Sequence, residues 1–357
     1  MRPRHVVLIA LLALVAYFAW WPVPVDPVAW EAPPNAGYVG AFAVDSSLHA
    51  FTPVSLGGST APESVTRDSV GRIYAATAEG VIVRLTAEGT DPQVWARTPG
   101  RPLGLAFGPD GRLYVADGSA GLVVIDTTGV VEVLADRVDG APLGFVDDLD
   151  VASDGRVYFS DASSKFPAGD HTVADPSVLD VIEHGGHGRL LEWDPVTRRV
   201  QVILAGVNFA NGVALDADER SVLLSETGAY RILRVAVAGP ARGTATPLLE
   251  ALPGFPDNIS RGRDGRFWVA LFAPRNALLD RLASHPAWRR VLLRIPKAIQ
   301  PAPREYAHLI AIDATGRVLD DRQDPAGAFP KVTDVLETER WLYLGSLAAP
   351  TLARVPR

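Results

Sequence analysis

Ser153-Asp154-Gly155-Arg156-Val157-Tyr158 sets an Asp-Gly-Arg turn directly before a β-branched and an aromatic residue. Four segments repeat it closely: Ser69-Val70-Gly71-Arg72-Ile73-Tyr74, Pro109-Asp110-Gly111-Arg112-Leu113-Tyr114, Ala217-Asp218-Glu219-Arg220-Ser221-Val222 and Arg263-Asp264-Gly265-Arg266-Phe267-Trp268. Thr338-Glu339-Arg340-Trp341-Leu342-Tyr343 repeats it more weakly. Asp-Gly between apolar runs signals a β-hairpin, because glycine takes the positive φ of a tight primed turn. The turns at Gly71, Gly111, Gly155, Glu219, Gly265 and Arg340 are spaced 40, 44, 64, 46 and 75 residues. About 40 to 45 residues is the length of one four-stranded propeller blade, so the two long intervals imply insertions near residues 162–188 and 273–307.

Further strand-length apolar runs fill each unit, among them residues 80–85, 121–126, 188–193 and 231–236. The chain reads as all-β, a six-bladed β-propeller with an N-terminal membrane-anchor helix. Separate β-sandwich domains are the alternative, and the regular turn spacing argues against them. The expected body helices are confined to the fifth-blade insertion, at residues 276–283 and 286–293. The organisation is residues 1–21 as signal anchor or signal peptide, 22–34 as a Pro-rich linker and 35–357 as the propeller.

The 357 residues contain no cysteine, so disulfides, thiol catalysis and Cys-zinc sites are excluded. A net charge of −7 and the lack of a basic stripe argue against nucleic acid. No Walker loop, dinucleotide fingerprint or G-x-S-x-G elbow is present, which removes nucleotide binding and serine hydrolysis.

Residues 6–21 carry no charge. Sixteen helical residues span about 24 Å, short of the roughly 30 Å hydrocarbon core, with Trp20, Trp21 and Trp30 suited to the interface. Arg2 and Arg4 precede the segment while Asp26 and Glu31 follow it. The positive-inside rule then puts the N-terminus in the cytoplasm and the propeller outside the membrane, periplasmic or extracellular. A cleaved signal peptide competes, but residues 17–22 lack a small-x-small cleavage site. The five prolines of residues 22–34 predict a stiff extended spacer.

The turn also serves as a ruler. Residues at one offset from it occupy equivalent places around the central channel. Eight residues back lie Glu63, Leu103, Asp147, Asn211, Asp257 and Val332; one further on lie Ser64, Gly104, Asp148, Gly212, Asn258 and Thr333. Like charges converging at a few ångströms repel unless a cation joins them. Glu63, Asp147, Asn211, Asp257 and Asn258 are therefore candidate metal ligands. An all-oxygen set favours Ca²⁺, with Mg²⁺ or Mn²⁺ as alternatives, over Zn²⁺. Any one of these residues alone would read as a turn cap.

Arg101-Pro102-Leu103-Gly104-Leu105, residues 157–165, 188–191, 209–213, 226–233, 252–258, 267–271 and 342–347 carry a resemblance covering residue 57 to the C-terminus. The chain resembles the strictosidine synthase-like family of six-bladed propellers, in the branch of the adipocyte plasma membrane-associated proteins, which also fits an N-terminal anchor. Related propellers include the paraoxonases, the gluconolactonase and regucalcin group and the diisopropylfluorophosphatases, with a catalytic Ca²⁺ in the channel. The resemblance implies that Glu63, Asn211, Asp257 and Asn258 match metal ligands, and that Asp147 stands where the family usually has Asn. It also implies two departures. The last-blade glutamate of strictosidine synthase falls on Thr333, which disfavours a condensing lyase, and the second-blade His pair of paraoxonases is absent, with Leu103 in its place.

The expected chemistry is metal-dependent hydrolysis of a small-molecule ester or lactone. Asp257 is the first candidate for general base or nucleophile and Asp147 the second. Asp148 is expected to orient a neighbour, and Leu103 and Thr333 to face substrate. Glu183-His184-Gly185-Gly186-His187 matches no zincin pattern and is expected as a flexible loop near the channel mouth, where His184 or His187, like His171, could touch substrate. The apolar and basic stretch around residues 278–296 is expected as core packing, with a membrane-facing or lid element as the alternative. From a different class, a membrane-tethered binding or scaffold propeller with a structural cation fits the same residues.

Overall fold

Each predicted turn is a hairpin in the computed structural model, which describes residues 3–169, 174–296, 300 and 304–357. His171 lies outside the described residues. In blades 1 to 5 the loops are not the two-residue primed turns expected from Asp-Gly. In blade 2, Gly108 N donates to Arg112 O at 2.9 Å and encloses three residues, the last being Gly111 at φ 75°. A three-residue loop ending on a left-handed residue is the other common hairpin. The rest of the motif serves this turn: Asp110 Oδ2 accepts from Arg112 Nε at 2.6 Å and from the Tyr114 hydroxyl at 3.0 Å. In blade 1, Asp68 Oδ2 does the same for Arg72 at 2.6 Å and Tyr74 at 3.1 Å.

Six four-stranded antiparallel sheets follow, with innermost strands Ser64–Arg67, Pro102–Phe107, Val146–Val151, Ala210–Leu215, Gly254–Arg261 and Val332–Glu337. Alternate residues of neighbouring sheets bury against each other, as with Tyr114, Val124, Leu149 and Phe159 between blades 2 and 3. The ring closes with Thr52–Val54, which pairs antiparallel with Leu352–Pro356 as the outermost strand of blade 6.

Among the described residues four α-helices accompany the propeller: α1 Pro3–Trp20, α2 Ala174–Glu183, α3 Ala277–Leu282 and α4 Pro286–Leu293. Asn276 Oδ1 caps α3 by accepting from Leu278 N and Leu279 N. The α2 helix was not anticipated from the sequence. Both insertions join the second strand of a blade to its third, so they emerge at the end of the channel where the innermost strands begin.

The linker is not a free spacer. Val28 N donates to Glu183 O at 2.8 Å, and Trp30 stacks on His184 with ring centroids 3.8 Å apart. Three buried arginines tie the linker, the helices and the anchor together. Arg275 Nη2 donates to Pro33 O at 2.7 Å, and its guanidinium lies over Tyr230. Arg289 donates to Ile182 O at 2.6 Å, to Ala283 O at 3.2 Å and to Val28 O. Arg294 donates to Phe18 O at 2.7 Å and to Trp21 O at 2.6 Å, and Tyr17 returns a bond to Arg294 O at 2.9 Å. Cationic side chains on the last carbonyls of a helix satisfy acceptors that the helix itself leaves open. The stretch 278–296 is thus a packed cap, with Arg289 and Arg294 inside it and Trp288 59% exposed.

The expected flexible loop at 183–187 is ordered by the same contacts. Glu183 accepts from Lys165 at 2.6 Å and from Asp26 N at 2.7 Å, and pairs with His187 at 2.7 Å. Burial holds the His184 imidazole neutral down to a pKa of about 3, with Arg289 and Arg231 adding repulsion. The unfolded chain takes up a proton near pH 6.5 while the folded one does not, so this group removes stability as pH falls below 6.5, by at most about 1.4 kcal/mol per unit. Replacing His184 by Phe is expected to flatten the fall in melting temperature between pH 6.5 and 5.

Candidate functional site in the central channel

Strand register fixes which residues share a level of the channel. Val65, Leu105, Leu149, Val213, Ile259 and Val335 are equivalent by their pairing with the second strands. Two positions earlier stand Glu63, Leu103, Asp147, Asn211, Asp257 and Thr333. The sixth member is Thr333, not Val332 as the ruler predicts, because Thr338 N donates to Trp341 O across a loop of only two residues, Glu339 and Arg340. The sixth hairpin is one residue short, so every offset counted back from it slips by one.

Glu63, Asp147, Asn211 and Asp257 line one cavity of about 260 Å³. All four are buried. Leu103 packs with Phe145 and Phe209, and the Thr333 hydroxyl donates to Glu63 O at 2.6 Å. Asn258, next to Asp257 in the chain, is buried and is not among the residues that line the cavity; both of its amide atoms lack a hydrogen-bond partner among the described residues. Asn211 Nδ2 donates to Asp257 Oδ1 at 2.8 Å, while Asn211 Oδ1 is buried without a partner. His184 and His187 do not border this cavity.

Glycines let the blades approach closely enough to form the ring. A Cβ on Gly212 would stand 2.5 Å from Asp257 O and 2.5 Å from Ile259 N, and one on Gly104 would stand 2.6 Å from Asp148 Oδ1. The obstacle at Gly212 is backbone, which cannot rotate away. The Gly212→Ala variant is therefore expected to push blades 4 and 5 apart and to lower the melting temperature by about 5 °C or more, measured by calorimetry.

One residue beyond the ring, carboxylates bridge blades. Asp148 Oδ2 accepts from Val213 N at 2.8 Å, and Asp334 Oδ2 accepts from Val65 N at 2.9 Å and Ser64 Oγ at 2.8 Å. Asp148 thus ties blade 3 to blade 4 at the position following Asp147.

Burial dominates the proton affinities of the ring. It raises the Glu63 carboxyl to about 7 even though Arg101 Nη2 donates to Glu63 Oε2 at 3.1 Å. Asp257 is raised well above the ordinary range by burial and by Glu63, against the hydrogen bond from Asn211. Asp147 is raised by burial and then by Asp257 and Glu63. No hydrogen bond to Asp147 from a described residue stabilises its charged form. Protons or a cation must neutralise such a set.

The level above the ring was not selected from the sequence. It comprises Ala61, Arg101, Phe145, Phe209, Phe255 and Lys331, each two residues before a ring position. Phe145, Phe209 and Phe255, joined by Phe272, make the cavity wall apolar, and Lys331 lines it as a cation. The same ruler applied two residues earlier would have found five of the six; Lys331 needed the shortened sixth hairpin.

The oxygen donors fit a hard divalent cation. Three carboxylates and two carboxamides match Ca²⁺ preferences, and the unpartnered Asn211 Oδ1 and Asn258 Oδ1 are acceptors in need of a positive charge. Among the described residues no three His, Cys, Asp or Glu side chains form a ready-made cage, so the amides are needed to complete a coordination shell.

A family model described as strictosidine synthase matches residues 147–240, and one described as strictosidine synthase-like, N-terminal, matches residues 40–85. The adipocyte plasma membrane-associated protein of Danio rerio is 36% identical over 321 residues, covering 82% of this chain and 75% of that protein. The chain belongs to the strictosidine synthase-like family. Within that family its relatives include the adipocyte plasma membrane-associated proteins, as the resemblance implied. A gluconolactonase from Xanthomonas campestris superposes with a TM-score of 0.58 at 17% identity, covering 95% of this chain and 98% of that one. A calcium-binding regucalcin from Agrobacterium tumefaciens superposes at 0.57 and 15% identity, over 85% and 93% of the two chains. At these identities the two structures establish a shared six-bladed fold.

Proposed function

We propose that this protein is a membrane-tethered hydrolase of esters or lactones, acting at the channel ring with a divalent cation, Ca²⁺ being the best match. One observation carries the reading: buried carboxylates with raised proton affinity and the unpartnered carboxamide oxygen of Asn211 stand on an apolar cavity large enough for a small molecule. The neighbours named gluconolactonase and calcium-binding regucalcin share this architecture and support it. Glu63, Asp147, Asn211, Asp257 and Asn258 would hold the cation. When bound, it supplies Lewis acidity toward a carbonyl oxygen.

The chain's own groups do the remainder. The phenylalanine wall excludes bulk water and strengthens every charge inside. Asp257 in its ionised form, made more basic by burial, takes a proton from the attacking water as the water oxygen bonds to the carbonyl carbon. The same proton passes to the leaving alkoxide as the acyl carbon–oxygen bond breaks, so the carboxylate is restored. Asp147 is the alternative base. Lys331 places a positive charge near the developing negative one.

The apolar α1 helix, unburied along its length, supports the tether, with the N-terminus cytoplasmic and the propeller outside. The test is turnover of phenyl acetate and a lactone panel by the full chain, with and without chelator. Chelator-sensitive turnover upholds the reading. A second reading, a scaffold propeller with a structural cation, is favoured by the buried Arg101–Glu63 pair, which spends a ring carboxylate on the protein itself. It predicts a chelator-dependent loss of melting temperature with no turnover.

A further inference from the structure

A second cavity of about 510 Å³ under the cap adjoins the ring cavity, and the side chains of Val178, Val181 and Phe255 border both. The second cavity is lined from α2, α3 and α4 by Ile182, Leu278, Leu279, Leu292 and Leu293, and its polar lining residues include Arg275, Asn276 and Arg304. Its apolar side suits a flexible hydrocarbon chain leading away from a carbonyl placed at the ring. Leu292 and Leu293 are followed by Arg294, whose guanidinium holds the carbonyls of Phe18 and Trp21 at the end of α1. Leu292 and Leu293 thus bring the cavity wall next to the contact between the apolar helix and the cap. Val178 at 46% and Leu278 at 41% exposure are accessible residues of its lining.

We propose that the substrate is an amphiphile: an ester or lactone with an unbranched chain of roughly eight carbons or more, which occupies the groove under α2, α3 and α4 and enters it from the bilayer beside α1. The proposal rests on the hydrolase reading for its chemistry and on the groove for its specificity, and the two are separable.

The full chain in lipid nanodiscs is assayed on 4-nitrophenyl esters from acetate to decanoate. Burying each methylene is expected to raise kcat/KM by up to about fourfold, giving at least a hundredfold rise across the series. Leu279→Trp and, separately, Leu292→Trp fill the groove away from the ring. Each is expected to leave acetate turnover within twofold and to cut the rise below tenfold; the same nanodisc in every arm cancels partitioning into lipid. A flat series in the parent chain, or an undiminished rise in both variants, overturns the proposal.

Should no ester or lactone turn over, the hydrolase reading fails and the groove is judged alone. A diazirine-bearing palmitate is photo-crosslinked to the full chain and the adducts are mapped by mass spectrometry. Adducts at Leu278–Leu279 or Leu292–Leu293 that vanish in Leu279→Trp uphold the groove as an acyl site. Adducts confined to α1 overturn it.

Discussion

Replacing Asp257 by Asn is expected to lower kcat/KM on the best ester or lactone by about a thousandfold, the usual scale for losing a positioned general base. The substitution keeps an oxygen where a cation would be held and keeps an acceptor for Asn211 Nδ2, now at 2.8 Å. It removes one of three carboxylates buried within one ring, where Glu63 raises the proton affinity of Asp257 and both raise that of Asp147. The variant should therefore be no less stable than the parent in chelator, and slightly more so. Loss of activity together with loss of fold would instead mark Asp257 as structural, and unchanged turnover would pass the role to Asp147.

The second large effect is on stability. Glu63 holds its proton to about pH 7 in the folded protein, against 4.5 ordinarily. Between those values the folded state retains a proton that the unfolded chain has released, so in chelator this group removes stability as pH rises. A cation competes for the same oxygens, and its benefit must grow as the protons leave. Adding Ca²⁺ at a hundred times its Kd should contribute about 2.7 kcal/mol, or about 5 °C, at pH 8, and much less at pH 5. Measuring the difference between calcium and chelator at each pH cancels His184, whose titration is common to both arms. A melting temperature at pH 8 indifferent to Ca²⁺, Mg²⁺ and Mn²⁺ would sink the cation site.

The blades were legible because most hairpins repeat a self-contained unit: in Asp110-Gly111-Arg112-Leu113-Tyr114 the Asp bonds the Arg and the Tyr, and the glycine takes the positive φ of the loop. Most of the ring was legible for the same reason, since a constant distance from a constant turn maps to one height in the channel. The reading slipped where that constancy fails. The missing residue at Glu339-Arg340 moved the sixth position from Val332 to Thr333. The α2 helix carried a usable signal, with Pro176 in its first turn and Val178, Val181 and Ile182 at helical spacing, but Asp175-Pro176 reads locally as a turn. What no local pattern discloses is the cap. Arg275, Arg289 and Arg294 bind carbonyls more than a hundred residues away, and their partners are backbone atoms, which leave no trace in composition. The five prolines thus looked like a spacer, while in the structure the segment is stitched to α2, α3 and α4.

The closing strand Thr52–Val54 waits for its partner. Leu352–Pro356 leaves the ribosome some three hundred residues later, which at about 5 to 20 residues per second means about 15 to 60 s. While the residues between them are made, Thr52–Val54 is an unpaired edge, and the ring stays open until Leu352–Pro356 arrives. Pro53 sits in the middle of that strand and denies one backbone donor to any stray partner. Its place at the seam guards an unfinished circle during the interval when wrong pairings could form.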